Sequence, residues 1–317
     1  MDNLAHTLAG AALGEAGLKR KTGLGMATLM IAANLPDLDA LGLFFGHNLA
    51  WRRGWTHGPV AWVLLPPVLA WVMVMFDRWQ ARRGTRPPDR LPVRPGWVLA
   101  LAVAGVLSHP LLDFLNTYGI RCLMPFSERW FYGDALFIID LVVWVSLGLG
   151  VWLARRRGRR GRAHPGRPAL AALLLVAAYS AGMGGASAWA ERYVGRDVAA
   201  RGLATPSVVV ASPVPFNPFR RDIVYSTGDA YGFGELRWTP APHLTLEPGL
   251  VPTNMKDPAV LRAAQQDKAV ADFLYWSRLP FAEIERRAGE ARVTIGDARY
   301  NRRPGDGRFT VRAAVPE

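Results

Sequence analysis

The sequence predicts an all-α membrane bundle of about six helical segments, some not fully spanning, followed by a soluble α+β domain. Three observations carry this expectation. Apolar residues make up 50% of the 317 residues, but nearly all the long apolar runs fall within residues 1–190. Residues 191–317 read instead as short strands, turns and one amphipathic stretch. The formal charge of +13 is also uneven: 1–190 holds 20 Lys and Arg against 10 Asp and Glu, whereas 191–317 holds 18 against 15. Most of the excess lies in two loops, Asp77–Pro95 with six arginines and Arg155–Arg167 with seven. Basic loops between apolar spans mark the cytoplasmic side of a membrane protein. That placement displaces nucleic acid, the partner a basic chain would otherwise suggest.

Taken in order, residues 3–18 form a small-residue helix ending at Lys19-Arg20-Lys21. Thr22–Phe45 is a second apolar segment, interrupted by Asn34-Leu-Pro-Asp-Leu-Asp39. A polar loop runs from His47 to Gly58 and contains Arg52-Arg-Gly-Trp-Thr-His57. Pro59–Phe76, Trp97–Leu115, Ala135–Leu153 and Pro168–Ala190 are further spans. In the tail, Ser207–Ala211 and Asp222–Ser226 read as strands, with Gly228-Asp229 turning into a strand over Ala230–Trp238. Pro258–Trp276 has helical periodicity, and Arg292–Tyr300 with Arg308–Val315 forms a last hairpin. The domains expected are 1–190 and 191–317. The single cysteine, Cys122, excludes an intramolecular disulfide. The opening Met-Asp-Asn-Leu-Ala-His lacks the basic start of a secretory signal and is expected to be retained.

With both arginine loops cytoplasmic, the spans alternate and the tail lies outside the cytoplasm. The stretch Leu107–Gly119 then becomes central. His109 and Asp113 are four residues apart, so a helix places them on one face, one turn apart. Ionisable residues inside a membrane span are costly and default to a functional reading. At about 1.5 Å per residue, His6, Asp37, Asp39, His57, His109, Asp113 and Asp140 all fall in the outer half of a hydrocarbon core about 30 Å thick. Histidine nitrogen with carboxylate oxygen, and no cysteine, suits zinc, with manganese or iron as alternatives. Seven candidate ligands exceed one tetrahedral ion, so two or more ions are plausible. Such a centre activates water without a protein nucleophile. Arg53, Thr56 and Arg129 are candidate binders of a substrate anion. Asn116, Thr117 and Tyr118 are candidate outer hydrogen-bonding groups that orient the ligands. His47, His164 and His243 are given no role.

His6-Thr-Leu-Ala-Gly, Leu35-Pro-Asp-Leu-Asp39, Arg53-Gly-Trp-Thr-His57, His109-Pro-Leu-Leu-Asp113 with Asn116-Thr-Tyr-Gly119, Pro125-Phe-Ser and Phe137-Ile-Ile-Asp140 together resemble the YdjM-like (YbcI-like) family of bacterial membrane-bound metal-dependent hydrolases. These motifs cover roughly residues 1–141. The tail, with Pro213-Val-Pro-Phe-Asn-Pro-Phe219, is similar to the extracytoplasmic extension of longer members. The resemblance implies a hydrolase of the inner membrane, with a distant likeness to the zinc-dependent phospholipase C and P1 nuclease group. Two positions depart from the family pattern His-Arg-Gly-x-Thr-His-Ser: Arg52 stands first and Gly58 last. Some members are labelled as binding the repressor LexA, for which no residue here argues.

The function expected is hydrolysis of a phosphoester on a lipid or lipid-linked substrate at the outer side of the membrane, with membrane lipid as partner. Two alternatives stay open. One is a divalent-cation transporter, which would place polar residues through the full membrane thickness. The other is a structural protein stapled by metal, whose tail binds a partner.

Overall fold

The computed structural model describes residues 1–45, 51–287, 289–307 and 309–317. His47, at the start of the expected polar loop, and Arg308, at the start of the expected last strand, lie outside them. The chain divides into two compact units. One comprises Met1–Leu41 and Arg53–Gly184; the other comprises Gly185–Glu317 with Gly42–Arg52. The boundary between them near Gly184 falls inside a helix.

In the first unit, Asp2 caps helix α1 (Asn3–Glu15) by accepting from the Leu4 and Ala5 amides at 3.0 and 3.2 Å. That satisfies two of the donors orphaned at a helix start. Gly10 of α1 lies so close to α2 (Gly25–Ala32) that a Cβ there would meet the Leu29 carbonyl at 2.7 Å. The expected single segment Thr22–Phe45 is not one helix. After α2 the chain runs as 3₁₀ turns over Leu35–Phe45. Asn34 donates its side-chain amide to the Met30 carbonyl at 2.9 Å, and Pro36 has no amide proton to continue an α-helix.

A 3₁₀ turn at Trp55–His57 leads into α3 (Pro59–Arg82), followed by α4 (Pro95–Phe114), α5 (Leu141–Arg159) and α6 (Arg167–Ala200). Of these, α3, α4 and α6 are long and apolar enough to cross a membrane. The expected span Ala135–Leu153 starts later, at Leu141, and α5 ends in arginines instead of apolar residues. Two small cores hold the unit together. Ala5, Ala9 and Ala12 of α1 pack with Val143, Leu147 and Val151 of α5 and Ala172 and Val176 of α6. Ala32 packs with Leu69, Ala70 and Met73 of α3 and Val98, Ala102 and Val106 of α4. The large apolar residues facing away from these cores are bare: Val63 is 70% exposed and Trp71 65%. A contiguous face of that kind on a long helix is suited to lipid rather than water.

In the second unit, β1 (Val208–Val214), β2 (Asn217–Ser226), β3 (Ala230–Arg237) and β4 (His243–Leu246) form an antiparallel sheet in that order, with β5 (Val251–Pro252) also on β3. β6 (Pro280–Arg287), β7 (Glu290–Asp297) and β8 (Thr310–Pro316) form a second antiparallel sheet. The end of α6, through Ala190, Val194 and Val198, covers Ala211, Ile223 and Leu236 of the first sheet. The expected helix Pro258–Trp276 is two helices, α7 (Pro258–Gln266) and α8 (Lys268–Trp276). Asp267 breaks it by capping α8, accepting from the Ala269 amide at 2.7 Å. β6 was not expected from the sequence, because its Glu and Arg residues disguise the alternation.

Buried Asp297 at the end of β7 anchors this unit. It takes a two-pronged ion pair from Arg299, at 2.9 Å from Nε and 2.8 Å from Nη2, and a 2.6 Å bond from the Ser277 hydroxyl. Burial alone raises the Asp297 pKa, but the Arg299 charge and these bonds outweigh it and hold the carboxyl below its usual range.

Candidate metal centre

Each ligand-bearing element is placed by a local device. Asp2 fixes the first turn of α1 and so presents His6. His109 and Asp113 lie one turn apart near the end of α4, on the face that is buried. The 3₁₀ turns after α2 bring in Asp37 and Asp39, and the turn before α3 brings in His57. His6, His57, His109 and Asp113 are all at most 1% exposed.

These side chains meet. His57 Nε2 lies 3.1 Å from His109 Nε2 and 3.4 Å from Asp113 Oδ2; His109 Nε2 lies 3.5 Å from the same oxygen. Donors about 2.0–2.1 Å from a tetrahedral zinc ion stand about 3.3 Å apart, so this triangle has the dimensions of one face of such a shell. Asp37 Oδ1 is 3.7 Å from His109 Nε2, and His6 Nε2 is 3.3 Å from Asp113 Oδ1. The sets His6–His109–Asp113 and Asp37–His57–His109 each gather their donor atoms within 4.8 Å, as holding an ion requires. The His6 ring stacks on His109 with centroids 3.7 Å apart, and both its nitrogens are buried without a hydrogen bond. The Met1 amino group also meets Asp113 Oδ1.

Tautomers follow from the partners. The Ala33 carbonyl, 2.7 Å from His109 Nδ1, can only accept, so Nδ1 carries a proton and Nε2 is the nitrogen turned to the cluster. At His57, Nδ1 lies 2.9 Å from the Thr56 hydroxyl and 3.4 Å from Asp39 Oδ2. The hydroxyl can donate or accept, so a proton on Nδ1 turned to Asp39 frees the Nε2 lone pair, whereas a proton on Nε2 bridges to His109 Nε2 or Asp113. Two ring nitrogens aimed at one point, beside a carboxylate, are a donor set suited to a cation.

Arg53 and Asn116 hold this set in place. The Arg53 guanidinium is 2% exposed, with Nε 3.0 Å from Asp113 Oδ2 and Nη1 donating to Asn116 Oδ1 at 2.8 Å. It also lies over the Tyr118 ring, 4.7 Å from the centroid. Its backbone is left-handed, φ 53°, pinned by its own N–H donating to Asp39 Oδ2 at 2.6 Å and by the Arg121 N–H donating to its carbonyl at 2.8 Å. Asn116, expected as an orienting group, does that through Arg53 and also accepts from the Tyr118 amide. Thr117 is buried beside it.

Three expected site residues are placed differently. Arg53 faces Asp113 instead of an open substrate position. Asp140 caps α5, accepting from the Val142 and Val143 amides at 2.9 and 3.1 Å and from the Tyr179 hydroxyl at 3.2 Å. Arg129 is exposed and lies over the Phe131 ring at 5.2 Å. Sequence reasoning missed Asn34, which donates to the Thr7 hydroxyl at 2.9 Å, Asn3, which donates to Asp37 at 3.0 Å, and Arg121, buried over Trp130. The signal the sequence offers for Arg121 is an arginine set among apolar neighbours, Ile120 and Cys122-Leu-Met124. At Gly58 a Cβ would strike the Met124 carbonyl, so the backbone there leaves no room for a side chain.

A helical unit with three helices fit to cross a membrane, enclosing a buried His/Asp cluster able to hold a metal ion, defines a membrane protein with a candidate metal centre. Residues 1–190 match the family model described as YdjM inner membrane protein, and the chain belongs to that family. Comparison with curated proteins and with solved structures gave no match.

Proposed function

We propose that the chain is a membrane-embedded, metal-dependent hydrolase that cleaves a phosphoester of a lipid or lipid-linked substrate at the outer side of the inner membrane. The observation that carries this reading is the His57–His109–Asp113 triangle, with edges of 3.1, 3.4 and 3.5 Å, at one end of α4. His57, His109 and Asp113 would hold a divalent ion, zinc by the donor set or else manganese or iron, which would supply a polarised water and charge neutralisation for a phosphoester. The chain's own residues do the rest. Ala33 keeps the His109 proton on Nδ1, and Arg53 fixes the Asp113 carboxylate. His6, with Nε2 3.3 Å from Asp113 Oδ1, is a further candidate ligand at the edge of the triangle.

Two features support a lipid substrate. A cavity of about 530 Å³ is lined by Ala9 and Leu13 of α1, Leu111, Leu112 and Leu115 at the end of α4, and Val176 of α6. His6, Ala9 and Leu13 share one stripe of α1, so this apolar cavity begins one turn from a candidate ligand. Orientation is the second. His57 precedes α3 and Asp113 ends α4, while the arginine loop Asp77–Pro95 joins their other ends, so the basic-loop rule puts the cluster on the outer side. The same rule puts the C-terminal domain outside the cytoplasm. Transport is less well supported, because Val98, Leu101, Ala102 and Val106 leave the buried remainder of α4 apolar.

The test is hydrolysis of phosphomonoester, phosphodiester and phospholipid probes by the detergent-purified chain. Activity abolished by a chelator, by His109→Ala and by Asp113→Ala supports the reading. Full metal loading with every probe left intact overturns it in favour of a metal staple, and metal uptake into proteoliposomes overturns it in favour of transport.

A further inference from the structure

At the end of the helical unit opposite the His/Asp cluster lies a second polar site. Glu15, in the last turn of α1, is 6% exposed. It receives Lys19 Nζ at 2.5 Å on one oxygen and Arg155 Nε at 3.0 Å on the other. The loop between α5 and α6 crosses directly over it, so that a Cβ on Gly166 would meet the Glu15 carbonyl at 2.6 Å. Beside this knot is a cavity of about 520 Å³ lined by Glu15, Lys19, Arg20, Arg155 and Arg159. Four cations and one carboxylate thus line the cavity. That carboxylate is already engaged by two of them, and Arg20 and Arg159 have no acidic partner among the described residues.

The depth of this cavity is marked independently. Arg83 lies over Trp79 at 5.0 Å, Lys21 over Trp97 at 5.2 Å and Arg156 over Trp152 at 5.2 Å. These pairs stand near the end of α3, the start of α4 and the end of α5, which are the same end of the bundle. Tryptophan paired with Lys or Arg is the usual occupant of the headgroup layer. The basic cavity therefore opens among lipid headgroups rather than among acyl chains or in bulk water.

We propose that this cavity binds the phosphodiester headgroup of an anionic phospholipid. Arg20 and Arg159 face the phosphate, while Glu15 holds Lys19 and Arg155 in fixed positions at its edge. Basic pockets between helices at the cytoplasmic face recognise anionic headgroups in this way. The site is independent of the hydrolase reading, since none of its residues belongs to the His/Asp cluster.

The test is lipid retention by the full chain, measured by native mass spectrometry after titration with phosphatidylglycerol or phosphatidylcholine. The expected result is selective retention of phosphatidylglycerol, weakened about tenfold or more in Arg20→Ala/Arg159→Ala, the size expected for two cations at a headgroup. Those two substitutions leave the Glu15 pairs intact; Arg155→Gln is a second variant expected to weaken retention as well. Arg78→Ala/Arg82→Ala removes two charges from the same end of the bundle that do not line the cavity, and is expected to weaken retention clearly less than Arg20→Ala/Arg159→Ala. Equal retention of phosphatidylcholine, or equal loss in both double variants, overturns the proposal. Displacement of the lipid by millimolar inorganic phosphate overturns the lipid assignment and leaves a site for a free anion.

Discussion

His57 and His109, 52 residues apart in the chain, face each other through their Nε2 atoms at 3.1 Å. Their other nitrogens are taken up by Thr56 with Asp39 and by Ala33. Two imidazoles prepared in this way repel each other unless a proton or a cation lies between them. The Asp113 carboxylate beside them faces His6, the Arg53 guanidinium and the Met1 amino group as well.

Removing one of the facing rings should therefore empty the site without unfolding the protein. His57→Ala and His109→Ala are expected to lower zinc affinity by at least a hundredfold, a loss beyond the 10–100-fold typical of outer partners. Competition with a chromogenic chelator measures it.

Arg53 is a positioning residue, and its geometry is specific. Nε serves Asp113 while Nη1 serves Asn116 and the Gly119 carbonyl. A lysine has no such fork, so Arg53→Lys should not rescue what Arg53→Ala loses. Breaking a buried charge pair by deleting one partner costs about 3–5 kcal/mol. Both variants should show lowered metal affinity, measured by chelator competition, together with a lower Tm.

Gly58→Ser restores the residue of the family pattern but meets the Met124 carbonyl. Overpacking against backbone costs about 1–3 kcal/mol. A reduced Tm with no gain in metal affinity is the expected outcome, read by thermal unfolding in detergent.

The C-terminal unit carries a pH signature. Asp297 is held below its ordinary pKa, so its contribution is fully present above the ordinary carboxylate range and is lost as pH falls through the lowered folded value. Asp222 runs the other way. Burial raises it, against Arg302 and Arg220, so it costs stability when ionised and that cost is relieved by acid. Asp297→Asn should destabilise by about 3–5 kcal/mol at neutral pH and flatten the acid limb of a Tm-against-pH curve. Asp222→Asn should instead remove the relief seen on mild acidification.

Much of the site was legible because helical spacing is rigid. His109 and Asp113 had to share a face, and the basic loops fixed which ends of the spans come together. Asp140 misled because a carboxylate before an apolar run fits both a ligand and a helix cap; the position immediately ahead of Leu141 favoured the cap. From sequence alone Arg53 suits a substrate anion, because nothing local shows that its loop turns back onto α4. The break at Asp267 and the 3₁₀ path after α2 have the same origin, side chains of Asp and Asn competing with helix amides and carbonyls. In the tail, β1 to β3 followed apolar alternation, whereas charged β6 was hidden.

The most direct test of the central claim is elemental analysis of the detergent-purified full chain. The account predicts at least one divalent transition-metal ion per chain, lost in a His57→Ala/His109→Ala variant that remains folded. A folded wild-type chain that stays metal-free after incubation with zinc, manganese and iron, or a double variant that keeps its full complement, would contradict it.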